Sequence, residues 1–351
     1  MASQDIAVVQ ISAVRLNPYV NLLSEALNRV EGVRCVVRQR LGWAWLFTGG
    51  WQADVWHLHW LELLCGQPGG GPSHSKLHAI EQQIKIARRL GVRIVYTVHN
   101  LNGHEADDAL VGEAHAFMFQ IADALHVHDK EARKHLSERY GRQSGVVEIP
   151  HGNYVGVYPN DCSPLEARAR LALPSDSFIY LFLGQIRPYK GIEELVAAFT
   201  ALPGEKLRLI IAGNAHDPAY AGQIKMAAAV DARISVVLHY VPAEELQYYF
   251  NASDVCVLPY REVTTSGAAI LAFSFGCPVV APHRGAFPAL LDGGRGILYD
   301  PNRADGLRDA LMAAQALDRD TVRRQVFAYA ESLSWDSIAE QFVTLYRSLA
   351  G

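Results

Sequence analysis

Apolar runs of strand length alternate with helix-patterned segments along nearly all of this chain, and that alternation restricts the fold more than any other property of the sequence. Strand-like runs fall at residues 6–11, 33–37, 55–59, 94–98 and 124–127, and recur at 179–183, 207–212, 234–238, 255–258 and 279–281. Helical patterns lie between them at 21–30, 76–90, 130–139, 192–201, 219–228 and 244–251. Most of the strand-like runs are continuously apolar, as strands buried on both faces of a parallel sheet must be. Strands alternating with helices imply parallel sheets covered by helices on both sides. The pattern breaks at residues 151–165, HGNYVGVYPNDCSPL, where turn residues and prolines cluster. At 351 residues the chain exceeds what one hydrophobic core usually fills. We therefore expect two doubly wound, Rossmann-like α/β domains facing a cleft, residues 1–154 and 159–329, with a C-terminal helical segment, 334–351, folding back on the first.

Composition removes several classes of function. The net charge is −4, whereas a protein whose main partner is nucleic acid normally carries a basic surplus. No apolar run approaches the roughly 20 residues needed to span a bilayer. The start, MASQDIAVVQIS, has neither the basic nor the long apolar segment of a secretory signal. Cys35, Cys65, Cys162, Cys256 and Cys277 are scattered without a CxxC pair, and Cys256 and Cys277 sit in apolar runs, which reads as buried thiols in a reducing cytoplasm.

Two turns in the second half have the chemistry of an anion site. In LPYREVTTSGAAILAFSFGCPVVAP (258–282), a strand ends in a polar turn that places Thr264, Thr265, Ser266 and Gly267 at the start of a helix. Unpaired backbone N–H groups and the positive end of the helix dipole face outward there. The same residues also make an ordinary N-cap. In LFLGQIRPYKGIEELVAAF (181–199), a buried strand delivers Gly184, a short loop carries Gln185, Arg187 and Lys190, and Gly191 opens a helix. Two cations beside a glycine suit a diphosphate. A solvated loop would account for either cation alone; two such turns after strands of one sheet favour the anion site.

The first half places histidines at strand ends, in VWHLHWLE (55–62) and VYTVHNLNGHE (95–105). The carboxyl ends of parallel strands share one edge of the sheet, so His59, His99, His104 and Glu105 can converge. His104 and Glu105 are candidates for acceptor binding or general-base work, since either accepts a hydroxyl proton. His57 and His126 read as satisfied core residues. The HLH and HVH pairs put imidazoles on one strand face, as metal sites can, but no matching carboxylate or cysteine cluster accompanies them and HExxH is absent. The segment LGWAWLFTGGWQADVWHLHW reads in two ways. It is a lipid-facing aromatic surface assisted by Lys76, Lys85, Arg88 and Arg89, or Trp51 and Trp56 are core and the basic residues are solvated.

Taken together, IPHGNY (149–154), GQIRPYKG (184–191), LIIAGNA (209–215), VPAEELQYYFNASDVCVLPY (241–260), TSGAAILAFSFGCPVVAP (265–282) and SWDSIAEQFVTLY (334–346) give the chain a resemblance. It resembles the GT-B-fold glycosyltransferases of the large family four, or group 1, over nearly its full length and most strongly from Ile149 to Asp300. The resemblance implies that Lys190 holds a donor diphosphate. Gln185 stands where the family usually has an arginine, so Arg187 is the candidate substitute. Of the family's two glutamates before the GxPV segment, the second falls on Leu271 and the first on Val263, beside Glu262; Glu262 is assigned the first role, and the ribose-holding second carboxylate is missing. His99 matches a histidine that touches the transferred sugar. The loop SAVRLNPYV lacks a glycine pair common in relatives, with Asn17 the candidate substitute. His59, Trp60 and Asn17 are accordingly assigned to the acceptor side.

The sequence reading is thus a metal-independent, cytoplasmic hexosyltransferase, cytosolic or peripheral at the inner membrane face. Its donor is a nucleoside diphosphate sugar, GDP-mannose ahead of UDP-glucose, and its acceptor a hydroxyl of a glycolipid, saccharide or small molecule. The donor-side residues are Gly184, Gln185, Arg187, Lys190, Glu262, Thr265, Ser266 and Gly267. No further cofactor is expected. A nucleotide-sugar epimerase and a non-catalytic nucleotide-sugar-binding protein are the alternatives; an NAD enzyme would need GxGxxG after a strand, which is absent.

Overall fold

The computed structural model describes residues 5–14, 17–65, 73–100 and 108–351. These divide into two compact units, residues 1–152 with 333–351, and residues 153–332. His104 and Glu105 lie outside the described residues.

The first unit is a six-stranded sheet in the order β2-β1-β3-β4-β5-β6. Its strands are β1 (Ile6–Ile11), β2 (Val33–Arg38), β3 (Val55–His59), β4 (Arg93–Thr97), β5 (Ala124–Val127) and β6 (Val146–Glu148), all parallel. The helices are α1 (Tyr19–Leu27), α2 (Trp43–Thr48), α3 (Leu61–Leu64), α4 (His74–Arg89), α5 (Asp108–Ile121) and α6 (Lys130–Tyr140).

The second unit repeats the plan in the order β12-β11-β10-β7-β8-β9. Its parallel strands are β7 (Phe178–Leu183), β8 (Leu207–Ala212), β9 (Ile234–Val237), β10 (Val255–Val257), β11 (Val279–Pro282) and β12 (Gly296–Tyr299). Its helices are α7 (Pro164–Arg170), α8 (Ile192–Thr200), α9 (Pro218–Ala228), α10 (Leu246–Ala252), α11 (Gly267–Ser274), α12 (Phe287–Leu291), α13 (Gly306–Ala314) and α14 (Arg319–Ser332). The last helix, α15 (Trp335–Ala350), belongs to the first unit and packs on α1.

The pleat of the first sheet sorts its side chains into two cores. Val9, Ile11, Trp56, Leu58, Ile94, Tyr96, Leu125 and Val127 face α4 and α5. Ile6, Val8, Val55, Val95 and Ala124 face α1 and α15, against Leu23, Ile338, Phe342 and Tyr346. Continuing the period of two toward the strand ends, the second face presents Gln10, His57, His59, Thr97 and His126, all fully buried. A sheet that is apolar on both faces at its amino end is therefore polar on one face at its carboxyl end.

Trp56 is core, stacked on Trp45 at 4.9 Å, but Trp51 is 46% exposed, which corrects the reading of both as core. The five cysteines are free thiols, and all but Cys162 are buried.

Candidate functional site

In the second unit, the loop leaving β7 runs parallel to the loop leaving β8. Gly184 N–H donates to the Ala212 carbonyl (3.0 Å) and Ile186 N–H to that of Asn214 (2.9 Å). Arg187 then leads into a single helical turn, Pro188–Lys190, which ends at Gly191 with φ +66°. A Cβ on Gly191 would collide with the Pro259 carbonyl, so this loop lies directly on the chain leaving β10. Arg261 N–H donates to the Tyr189 carbonyl (2.8 Å), while its guanidinium pairs with Glu194 on α8 (2.7 Å).

The consequence is that Lys190 Nζ stands 3.5 Å from the Tyr260 ring centroid and 4.9 Å from that of Tyr189. Burial, with the Arg187 charge beside it, lowers the Lys190 pKa to about 7. The chain continues from Tyr260 through exposed Glu262 and half-buried Thr264 and Thr265 to Ser266. Ser266 is buried, and its Oγ accepts from Ala269 N–H (3.2 Å), capping α11, which begins at Gly267. Gly184, Gln185, Arg187 and Lys190 thus share one loop, set against the first residues of the turn that carries Glu262, Thr265, Ser266 and Gly267. Gln185 is exposed, and Leu271 is half-buried within α11 where a carboxylate would serve a ribose.

A cavity of about 470 Å³ adjoins this clamp, lined by Tyr260, Arg261, Arg284, Tyr299, Arg303 and Arg308. Its arginines are engaged: Arg261 with Glu194, Arg284 with the Arg261 carbonyl, Arg303 with Asp309 and Arg308 with Asp305.

In the first unit, His59 ends β3, and His99 and His128 follow the ends of β4 and β5. Trp60 takes a left-handed conformation (φ 46°), a strained state for a tryptophan, and lays its ring on His99 with centroids 3.6 Å apart and planes 6° from parallel. Tyr19, at the start of α1, meets the rings of His99 (5.1 Å), His128 (5.6 Å), His151 (4.9 Å) and Trp335 (5.2 Å). Asn17 is occupied in placing it, since its Oδ1 accepts from Tyr19 N–H (3.0 Å). His59 and His99 are hydrogen-bonded to each other, Nδ1 to Nε2, at 3.0 Å.

Burial lowers the pKa of His57, His59, His99 and His128 well below the usual 6.5, and those of His126 and His151 to about 4. His99 is therefore neutral and a weak base, because proton abstraction favours a pKa near the working pH. Glu62, on α3, is closer to that range: burial raises it to about 7. The sequence reading gave no site role to Glu62, His128, His151 or Tyr260, although each lies in or beside a motif it singled out: VWHLHWLE, the HVH pair, IPHGNY and the turn before α11.

Residues 177–316 match the family described as Glycosyl transferases group 1. Among named relatives, the chain is 30% identical over 239 residues to a GDP-mannose:glycolipid 4-beta-D-mannosyltransferase of Xanthomonas campestris pv. campestris, covering 68% of this chain and 64% of that protein. It is 27% identical over 279 residues to a D-inositol 3-phosphate glycosyltransferase of Corynebacterium efficiens, covering 73% and 65%. The chain thus spans just under two thirds of the length of these relatives. Among solved structures, Anabaena HepE in complex with UDP-glucose superposes with a TM-score of 0.75 at 15% identity, over 98% of this chain and 100% of that one. The two doubly wound parallel units are those of the GT-B fold, and the second carries the match to the group 1 glycosyltransferases.

Proposed function

We propose that the protein transfers a hexose from a nucleoside diphosphate sugar to a hydroxyl of a lipid-linked saccharide, without a metal ion. The observation that carries this reading is the clamp of the second unit. Arg187 and Lys190 lie on a loop packed against Pro259–Arg261, where the turn toward α11 begins, and we assign these cations and the helix N-terminus to the negative charge that grows on the departing diphosphate. Preorganised groups of that kind supply the charge stabilisation that other transferases take from a cation. Among donors, the mannosyltransferase named above favours GDP-mannose; the UDP-glucose complex of HepE keeps UDP-glucose second.

The acceptor side is assigned to the first unit, around His59, Trp60 and His99, with Asn17 holding Tyr19 in place. His104 and Glu105 remain the proposed source of a general base. A glycolipid acceptor is favoured by the exposed aromatics of α2 and the turn after it. Trp43 and Phe47 stack at 6.4 Å and, with Trp51, are 43%, 60% and 46% exposed. Aromatic side chains so displayed suit the bilayer interface. No helix among the described residues is long and apolar enough to cross a membrane, so this contact would be peripheral.

The test is to incubate the protein with GDP-mannose or UDP-glucose and a polyprenyl-linked saccharide, with and without chelator, and to follow nucleoside diphosphate release and acceptor mass. Acceptor mass rising by one hexose, unaffected by chelator, supports the reading. An altered free nucleotide sugar would indicate an epimerase, and binding without release a non-catalytic protein.

A further inference from the structure

The buried polar groups on the α15-facing side of the first sheet are joined in one hydrogen-bonded chain that ends on a backbone carbonyl. His126 Nε2 lies 2.8 Å from the Ile149 oxygen, and its Nδ1 lies 2.9 Å from Thr97 Oγ1. Thr97 Oγ1 is 2.6 Å from His57 Nε2, and His57 Nδ1 is 2.6 Å from Tyr346 Oη on α15. Tyr346 Oη is 3.3 Å from Gln10 Nε2; Gln10 Oε1 is 2.6 Å from His59 Nε2; His59 Nδ1 is 3.0 Å from His99 Nε2.

A carbonyl oxygen can only accept, and that single fact propagates through the whole chain. His126 must carry its proton on Nε2, so its bare Nδ1 accepts the Thr97 hydroxyl proton. Thr97 oxygen then accepts from His57 Nε2–H, and His57 Nδ1 accepts from the Tyr346 hydroxyl. Tyr346 oxygen accepts from the Gln10 amide nitrogen, which fixes the Gln10 oxygen toward His59 Nε2–H. His59 Nδ1 is left bare, and it accepts from His99. Burial keeps the four imidazoles neutral, so no second ring proton reopens the choice.

We propose that this relay fixes His99 as the Nε2–H tautomer, with Nδ1 an acceptor, and that Thr97, His57, Tyr346, Gln10 and His59 are positioning residues acting through it. The opposite polarity would need Ile149 carbonyl to donate, so the relay orients His99 without conducting a proton away from it. The tautomer is set by this geometry alone; its bearing on catalysis rests on the function proposed above. In that setting, His99 Nδ1 is an acceptor, with the polarity suited to a donating group rather than to a phosphate oxygen.

The experiment is histidine side-chain ¹⁵N–¹H correlation spectroscopy on the full chain at neutral pH, without donor, which separates its outcome from that of the transferase assay. Loss of one spin system in His99→Gln assigns the His99 ring. The wild type should show His99 in the Nε2–H form alone. Thr97→Val removes the link to the Ile149 anchor and should turn His99 into a mixture of both tautomers, while Thr97→Ser restores the single form. Tyr346→Phe breaks the chain at a second place and should give the same mixture. His99 found as Nδ1–H in the wild type, or still purely Nε2–H in folded Thr97→Val and Tyr346→Phe, would overturn the proposal.

Discussion

The Lys190 ammonium lies 3.5 Å from the Tyr260 ring centroid, although the two residues leave different strands, β7 and β10. A cation over an aromatic face is stabilised by about 0.5–2 kcal/mol. That attraction holds the side chain in place without consuming its N–H donors, which stay available to an anion. The cost is desolvation of the charge, seen as a pKa of about 7.

That pKa makes donor binding pH-dependent in a defined direction. An anionic diphosphate raises the Lys190 pKa in the complex, so above pH 7 the free protein must take up a proton in order to bind. The Kd for GDP-mannose should be flat below neutrality and rise above it, by up to about tenfold per pH unit. Isothermal titration across that range measures it. In Lys190→Ala the rise should vanish.

Gly191→Ala tests the close approach that brings the two loops together. Its φ of +66° disfavours a side chain, and a Cβ there meets the Pro259 carbonyl. The left-handed conformation alone costs about 1–2 kcal/mol, and relieving the collision must part the loops, so donor affinity should fall together with stability. Gly222→Ala on α9, where a Cβ has open space, should instead be neutral or stabilising by about 0.5–1 kcal/mol. Denaturant melts of both variants check this.

Much of this architecture is legible locally. Strands β3, β5 and β8 begin and end where the apolar runs do, because strands buried on both faces are mostly apolar even where a histidine or arginine interrupts them. Strands β6 and β12 are short edge strands, VVE and GILY, the latter half-buried throughout, and they carry too little pattern to be read. Helix α5, DALVGEAHAFMFQI, has too broad an apolar surface to show a clear stripe. The two donor-side turns are local motifs, whereas Tyr19, His151, Trp335 and Tyr346 meet the strand-end histidines only through tertiary packing. No spacing rule connects Gln10 to Tyr346.

Acid should destabilise the first unit through its buried histidines. His126 has a pKa of about 4 in the fold against 6.5 unfolded, so between those values the unfolded chain binds the extra proton. Stability is then fully present above pH 6.5 and is lost as pH falls toward 4, on the order of 3 kcal/mol from this residue alone. Melting temperature against pH should drop across that window.

The aromatic surface at α2 predicts a lipid effect separable from folding. Replacing both Trp43 and Phe47 by Ser should weaken binding to anionic vesicles by about tenfold or more, since each buried aromatic contributes roughly 1.5–3 kcal/mol. Because both side chains are exposed, the melting temperature should barely move. Vesicle co-sedimentation with a thermal melt on the same samples decides it.

The most direct test of the donor clamp is the affinity of wild type and Lys190→Ala for GDP-mannose and UDP-glucose, measured by titration calorimetry at pH 7. We expect one of the two sugars to bind the wild type, and Lys190→Ala to bind it roughly 10- to 100-fold more weakly, as loss of a charge-assisted contact implies. Full affinity in a folded Lys190→Ala protein, or no binding of either nucleotide sugar to the wild type, would contradict the account.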